Sequence, residues 1–282
     1  MSVAEGSFGR RMRGPSALGG DVRRFLHLTW TLAVTDFKLR FFGSVLGYLW
    51  QLMRPLLLFS VLYFVFTEFV KIGQNAPHFA VVLLLSIVIY TFFVDATGAA
   101  ISSLVDRESL VRKIHFPRMV IPLAVVLTAF FNLLINLVAV AIFAMAQGIE
   151  PRLSWLQFPV LILMLAIWAV GLAMLLSALY VRARDVQPIW EVVAQAMFYA
   201  SPVIYPIEVL PKDEWERAVM LNPLAVVLEQ CRHAVVDPGA PSAAAAIGPD
   251  WRLLIPLAIV VVSVAVGFWV FNREAPRIAE QL

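Results

Sequence analysis

Six long apolar segments constrain the fold of this chain more than any other feature. Each is close to the roughly 20 residues that a helix needs to cross the hydrocarbon core of a bilayer. Hydrophobic residues make up 61% of the 282 positions, whereas soluble domains contain roughly 45–50%. The sequence therefore predicts an all-α integral membrane protein with six transmembrane helices, at residues 48–70, 79–104, 119–146, 156–180, 188–205 and 253–271.

The distribution of basic residues predicts the orientation of these helices. Most of the 22 lysines and arginines lie before the first segment, in the loops 104–122 and 181–187, or after the last segment. Loops rich in basic residues stay in the cytosol, so we expect both termini there, with the protein in the cytoplasmic (inner) membrane. The predicted organisation is a cytosolic N-terminal region over 1–43, a transmembrane domain over 44–275 and a cytosolic tail over 276–282.

Residues 21–42 predict an amphipathic helix at the membrane interface. Leu26, Trp30, Ala33 and Phe37 recur at spacings of three and four residues, which places them on one helical face. Basic side chains on the other face suit a helix that lies on the inner leaflet. A soluble helix packed on a partner protein is the alternative.

The loop 104–122 is the densest charge cluster between two apolar segments, and it predicts a short cytosolic helix. Asp106 is placed to cap this helix, and Glu108 and Arg112 form a favourable pair four residues apart. Leu110 and Ile114 then share one apolar face. Such a helix is suited to dock on a soluble partner; the alternative is that the loop is basic only because basic residues set membrane orientation.

The outer end of the fifth segment predicts an irregular backbone, because Pro202, Pro206 and Pro211 each remove a hydrogen-bond donor. Irregular backbone at membrane depth persists only where protein or water covers it. Asn222 and Pro223 then predict the cap and first turn of a short helix. We therefore predict re-entrant outer helices that form a gate between the fifth and sixth segments, with contributions from Ser201, Pro202, Tyr205, Pro206, Leu224 and Leu228.

Arg54, Asp95 and Glu191 are the clear ionisable candidates inside the apolar segments. Membrane hydrolases and transferases generally need convergent acids, histidines or a metal, so the sequence disfavours an enzyme. Arg54 and Asp95 lie at similar depths from the cytosolic edge. We expect Asp95 to pair with Arg54 or to face an aqueous conduit, although Arg54 has the alternative of reaching the inner headgroups.

Two further patterns inside the segments predict helix packing. Ala169, Ala173 and Ser177 form a stripe of small side chains that lets another helix approach closely. Asn132 and Asn136 lie one turn apart and are expected to hydrogen-bond a neighbouring helix or to face a polar conduit.

Metal and nucleotide sites are not expected in this chain. The single cysteine and four scattered histidines offer no metal-ligand spacing. The chain has no G-x-x-x-x-G-K-[ST] loop, so any ATP that drives it must bind to a separate subunit. No nucleic-acid partner is expected either.

Three runs of sequence resemble the membrane subunit of type-two ABC exporters of polysaccharides, such as O-antigen and teichoic acid permeases. They are TDFKLRFFGSVLGYLWQLMRPLLLFSVLYFVF (35–66), the loop 106–122, and ARDVQPIWEVVAQAMFYASPVIYPIEVLP (183–211). The run LNPLAVVLEQCRHAVV (221–236) matches that family's outer segment. The resemblance implies a homodimer, two ATPase subunits that bind ATP and Mg²⁺, no cofactor in this chain, and a lipid-linked glycan or polyol-phosphate polymer as cargo.

The loop 104–122 would then contact the ATPase subunit. We predict an apolar contact through Leu110, Ile114 and Phe116. Charged and polar residues would surround it: Glu108, Arg112, Lys113, His115 and Arg118.

Two other functions remain open on sequence alone. A flippase or secondary transporter that needs no ATP often shows broken helices at matching places in two inverted repeats. Here the fifth segment is clearly broken by proline, and Arg54-Pro55 is a weak counterpart in the first half. A membrane anchor for a glycan-synthesis complex is the third possibility.

Overall fold

The computed structural model describes residues 22–41, 47–71, 77–111, 116–210 and 213–281, which form helices joined by turns and no strand. The helices in chain order are α1 (Val22–Phe41), α2 (Gly47–Phe64), α3 (Phe79–Asp106), α4 (Glu108–Val111), α5 (Val120–Ala146), α6 (Gln157–Arg182), α7 (Val186–Ala200), α8 (Asp213–Val219), α9 (Pro223–Cys231), α10 (Ala243–Ile247) and α11 (Leu254–Gln281). Two π-helical turns, Val65–Phe69 and Arg232–Val236, extend α2 and α9. The all-α prediction is confirmed.

Five helices of the described ranges are long and apolar enough to cross a membrane: α2 with its π turn, α3, α5, α6 and α11. The fifth predicted segment, 188–205, forms only the 15-residue helix α7, which ends at Ala200. A helix of that length spans roughly 22 Å, less than a hydrocarbon core of about 30 Å. The count of six spans therefore stays a prediction.

The helix α3 lies at the centre of the fold and contacts α2, α5, α6 and α7. Its sequence is apolar on every side, and 18 of its side chains are buried, as expected for a helix surrounded by others. Phe93 shows how tightly it packs, since its ring stacks on Trp168 of α6 with the centroids 4.6 Å apart.

The closest helix contact joins α6 to α11 at two glycines. A Cβ atom on Gly171 would lie 2.8 Å from the Cα atom of Val264, and a Cβ atom on Gly267 would lie 3.0 Å from the carbonyl carbon of Gly171. The glycine contact brings two backbones together without intervening side chains. Ala169, Ala173 and Ser177 lie on another face of α6 and are fully buried, as expected of a stripe of small residues in helix packing.

The N-terminal helix α1 forms as predicted, and its predicted apolar face lies partly against α5 and is partly exposed. Ala33 is buried, whereas Leu26 and Trp30 are 61% and 56% exposed. The helix packs along α5, where the ring of Trp30 meets that of Phe131 edge to face. The Thr128 hydroxyl of α5 donates a 3.2 Å hydrogen bond to the carbonyl oxygen of Ala33.

The loop after α3 differs from its prediction in two respects. Asp106 does not cap the short helix; it is the last residue of α3 and accepts a 2.7 Å hydrogen bond from Ser102. Arg118, predicted at an exposed rim, is only 6% exposed. Leu110 and Phe116 are partly buried against the core of the chain itself. Glu108 is half-buried, and the other four predicted contact residues lie outside the described residues: Arg112, Lys113, Ile114 and His115.

A salt bridge that the sequence did not predict fixes this loop to α1. The guanidinium of Arg107, directly after α3, donates to the carboxylate of Asp36 in α1. Both side chains are about four-fifths buried. The end of α3 is therefore set by a contact with a helix about 70 residues earlier in the chain.

We call residues 201–210 and 213–247 the outer cap, a name that follows the predicted orientation of the chain. Asn222 caps α9 as predicted, because its side chain accepts a 3.0 Å hydrogen bond from the backbone N–H of Leu224. Its amide also donates to the hydroxyl of Ser201, 2.9 Å away. Leu224 and Leu228 are 0% and 2% exposed, and Ser201 is fully buried. The segment after α7 is therefore packed on α9.

An ion-pair cluster holds the outer cap together. The guanidinium of Arg232 donates to both carboxylate oxygens of Glu208, at 2.7 and 3.0 Å, and to Glu229 at 3.2 Å. Arg232 and Glu229 are 6% and 1% exposed. Burial raises the pKa of Glu229 to about 7, even though the charge of Arg232 opposes this shift.

Gly267→Ala is expected to lower the free energy of unfolding by about 1–3 kcal/mol, because the added methyl group forces two backbones apart. Unfolding of the purified protein in detergent would measure the change. Gly98→Ala is the control, since a Cβ atom at Gly98 has no neighbour within 4 Å and alanine favours a helix. Equal stability of the two variants would contradict the close contact.

The stability of the outer cap is expected to fall as the pH rises. The pKa of Glu229 is raised from 4.5 to about 7, so this group's contribution is complete below about pH 4.5 and is lost as the pH rises through about 7. Melting temperatures at several pH values across this range would measure the slope. Glu229→Gln should flatten it, whereas Glu150→Gln, at an exposed position, should leave it unchanged; an unaltered slope in Glu229→Gln would contradict the assignment.

Candidate transport groove

A groove of about 740 Å³ runs between α2, α3 and α7, next to the C-terminal end of α1. Its lining extends along α7 from Gln187 to Tyr199, which is most of the length of that helix. The polar and aromatic side chains that line it are Arg40, Gln51, Arg54, Tyr90, Asp95, Gln187, Trp190, Glu191, Gln195, Phe198 and Tyr199.

Two hydrogen bonds from side chains place α7 beside α3. The Tyr90 hydroxyl donates to the carbonyl oxygen of Ala194 at 2.6 Å, and the Trp190 indole N–H donates to the Thr97 hydroxyl oxygen at 3.1 Å. The ring of Tyr90 also packs edge-on against Phe198, with the centroids 4.9 Å apart. Trp190 and Ala194 are the only buried residues of α7, so these contacts define the face of α7 that packs on the protein.

A polar stripe on the neighbouring face of α7 also lines the groove. Gln187, Glu191 and Gln195 lie four residues apart, and the amide of Gln187 donates a 3.2 Å hydrogen bond to the carboxylate of Glu191. All three are exposed. Side-chain amides both donate and accept hydrogen bonds, so this stripe is suited to a ligand rich in hydroxyl groups.

Aromatic rings line the outer end of the groove. Phe198 and Tyr199 meet edge to face with their centroids 5.3 Å apart, and Tyr199 is 59% exposed. The Tyr205 hydroxyl donates a 3.2 Å hydrogen bond to the carbonyl oxygen of Tyr199. Exposed aromatic faces are surfaces on which the C–H faces of sugar rings stack.

The groove contains both of the intramembrane charges that were predicted to interact. Arg54 is exposed and Asp95 is half-buried, and the positive charges of Arg54 and Arg40 both act on Asp95. None of the salt bridges among the described residues joins Arg54 to Asp95. Arg54 and Asp95 therefore face a common space without direct contact. Arg40, the third charge beside them, was not among the predicted functional residues.

Two of the helices that form the walls of the groove carry exposed apolar side chains in the single chain. The side chains of Trp50 and Val61 on α2 are 61% and 62% exposed, and those of Ile189 and Val192 on α7 are 62% and 67% exposed. These four residues do not line the groove itself.

The predicted functional residues fall into three places. Arg54 and Asp95 lie in the groove, while the described part of the 104–122 loop packs with α1 and α11. The six outer residues lie in the outer cap, where Ser201, Pro202 and Pro206 are buried and Tyr205 is half-buried. Gln51, Gln187 and Gln195 were missed, although the spacing of the last two beside Glu191 was visible in the sequence.

Comparison with known proteins identifies the family. The family model described as "ABC-2 type transporter" matches residues 27–236. The O-antigen export system permease protein RfbA of Myxococcus xanthus is 31% identical over 210 residues, which cover 74% of this chain and 80% of that protein. A protein of the same name from Klebsiella pneumoniae is 25% identical over 248 residues, which cover 88% of this chain and 92% of that protein.

The matched range begins within α1 and ends with the π turn that contains Arg232. It includes all the residues that line the groove and most of the outer cap. Together with the five apolar helices, this match shows that the chain is a multi-pass membrane protein that belongs to the ABC-2 type transporter family.

Proposed function

We propose that this chain is the membrane subunit of an ATP-driven exporter that moves a lipid-linked polysaccharide or polyol-phosphate polymer across the cytoplasmic membrane. The groove is the observation that carries the proposal. Its amides suit hydroxyl groups and its exposed rings suit sugar faces, and it runs along most of α7. The names of the relatives, which are O-antigen export permeases, support the same class of cargo.

A homodimer would complete the conduit. The helices α2 and α7, which form two walls of the groove, carry exposed apolar side chains, and a twofold axis beside these helices would bring two grooves together. Closed twofold dimers are the commonest symmetric assembly. The outer cap would then lie at the exit as a gate, because its residues are packed beyond the end of α7.

Two ATPase subunits would bind on the cytosolic side, each with its own ATP and Mg²⁺. Family membership supports this arrangement, as does the lack of a phosphate-binding loop in this chain. The basic loop 104–122, next to α1, is the proposed contact, and both termini would lie on the same side.

Export by the purified complex tests the proposal. The chain and its ATPase subunit would be reconstituted in liposomes, and ATP-dependent transfer of a radiolabelled lipid-linked polysaccharide would be measured. Transfer that requires ATP and both subunits is expected. Transfer by this chain alone would favour a flippase, and copurification with a glycosyltransferase without any transfer would favour an anchor.

Tyr199→Ala is expected to slow export several-fold, because a lost ring contact removes about 1 kcal/mol of stacking and about 1.4 kcal/mol corresponds to a factor of ten. Initial transfer rates at equal ATPase activity would show the change. Phe268→Ala removes a partly exposed ring from α11, outside the groove, and should export normally. An unchanged rate in Tyr199→Ala would argue against this wall of the conduit.

Ile114→Asp is expected to uncouple ATP hydrolysis from export, because a charge in an apolar contact disrupts docking. ATP hydrolysis and polymer transfer would be measured on the same preparation. Ser109→Asp adds the same charge at an exposed position of α4 and is the control. Normal transfer by Ile114→Asp would show that the docking assignment is wrong.

A further inference from the structure

A second, much smaller cavity lies directly behind the groove, between α2, α3 and α5. Its volume is about 20 Å³. Its polar lining comes from all three helices: Gln51 and Arg54 of α2, Thr91 and Asp95 of α3, and Asn132 and Asn136 of α5. Arg54, Asp95 and Gln51 also line the groove, so these three residues form the wall that the two spaces share.

Asn132 is the unusual residue of this cavity. Its side chain is 4% exposed, and neither its amide nitrogen nor its carbonyl oxygen has a hydrogen-bond partner among the described residues. The amide of Asn136 donates instead to the backbone carbonyl oxygen of Asn132, 2.9 Å away. A buried amide without partners costs more free energy than one hydrogen bond contributes, so such groups normally have a partner.

The size and chemistry of the cavity identify that partner. A buried water needs at least about 10–15 Å³ and two to four polar partners, and this cavity offers both. A monovalent cation would fit a similar volume, but the guanidinium of Arg54 already supplies a positive charge beside the carboxylate of Asp95. The amide N–H groups of the lining would also repel a cation. A neutral ligand that both donates and accepts hydrogen bonds matches the lining better.

We propose that this cavity is a binding site for a single water molecule that hydrogen-bonds the side chain of Asn132 and the carboxylate of Asp95. The water connects α5 to α3 and, through the shared wall with Arg54, to α2. Among the five apolar helices, α2 has the smallest buried share. The water site therefore positions α2, which forms one wall of the groove. This role does not depend on which cargo the groove carries.

Electron cryomicroscopy of the full chain with its ATPase subunit, in lipid nanodiscs and at about 2 Å resolution, tests the site directly. The expected result is one density peak within about 2.7–3.2 Å of both Asn132 and Asp95, present equally in sodium, potassium and choline buffers. A direct hydrogen bond between Asn132 and another protein group, without a peak, would overturn the proposal. A peak that appears only with sodium would also overturn it, in favour of a cation site.

A double-mutant cycle gives a second test that does not depend on resolution. Asn132→Leu and Asp95→Leu should each lower the melting temperature by on the order of 2–4 °C, and their effects should not add, because both remove a partner of the same water. Thr29→Val is the matched control. Thr29 is buried, but its hydroxyl donates to the carbonyl oxygen of Phe25 within α1, so its effect should add to that of Asp95→Leu. Additive effects of Asn132→Leu and Asp95→Leu would refute the shared water.

Discussion

Helices in a bilayer gain little from burying apolar side chains against each other, because lipid tails are equally apolar. This protein must therefore be held together by close packing and by the few polar groups that meet between helices. Gly171 and Gly267 bring two backbones into contact, and the Trp168 indole N–H donates a 3.3 Å hydrogen bond to Ser263 at the same interface. The order of the remaining helices around α3 depends on contacts of these two kinds.

Those contacts are unevenly distributed. The helices α3, α5, α6 and α11 pack along most of their lengths, whereas α7 meets α3 mainly through Tyr90 and Trp190, and α2 is largely exposed. The groove thus has one tightly packed wall, α3, and two walls, α2 and α7, that are less buried in the rest of the chain. If the groove is the proposed conduit, the two less buried walls are the ones that can move apart to admit a polymer.

The sequence predicted features that depend on local chemistry and missed those that depend on distant contacts. Length and hydropathy were sufficient to predict the five long helices, and Asn222 was sufficient to predict where α9 begins. The contact of α1 with α5 could not be predicted, because Trp30 is apolar whether lipid or protein covers it. The end of α3 was also missed, since Asp36 lies far from Arg107 in the chain. Part of the groove could be predicted. Its charged residues and the polar stripe of α7 are apparent in the sequence, but the space between the three helices depends on how they pack.

The hydrogen bond from Tyr205 to the carbonyl oxygen of Tyr199 joins the last turn of α7 to the outer cap. The last carbonyl groups of a helix have no partner within the helix, and lipid offers none. If α7 tilted away from α3 while the cap stayed in place, this carbonyl would lose its donor in an apolar solvent. This hydrogen bond therefore favours joint movement of the cap and the helix, which would couple the width of the groove to the position of the cap.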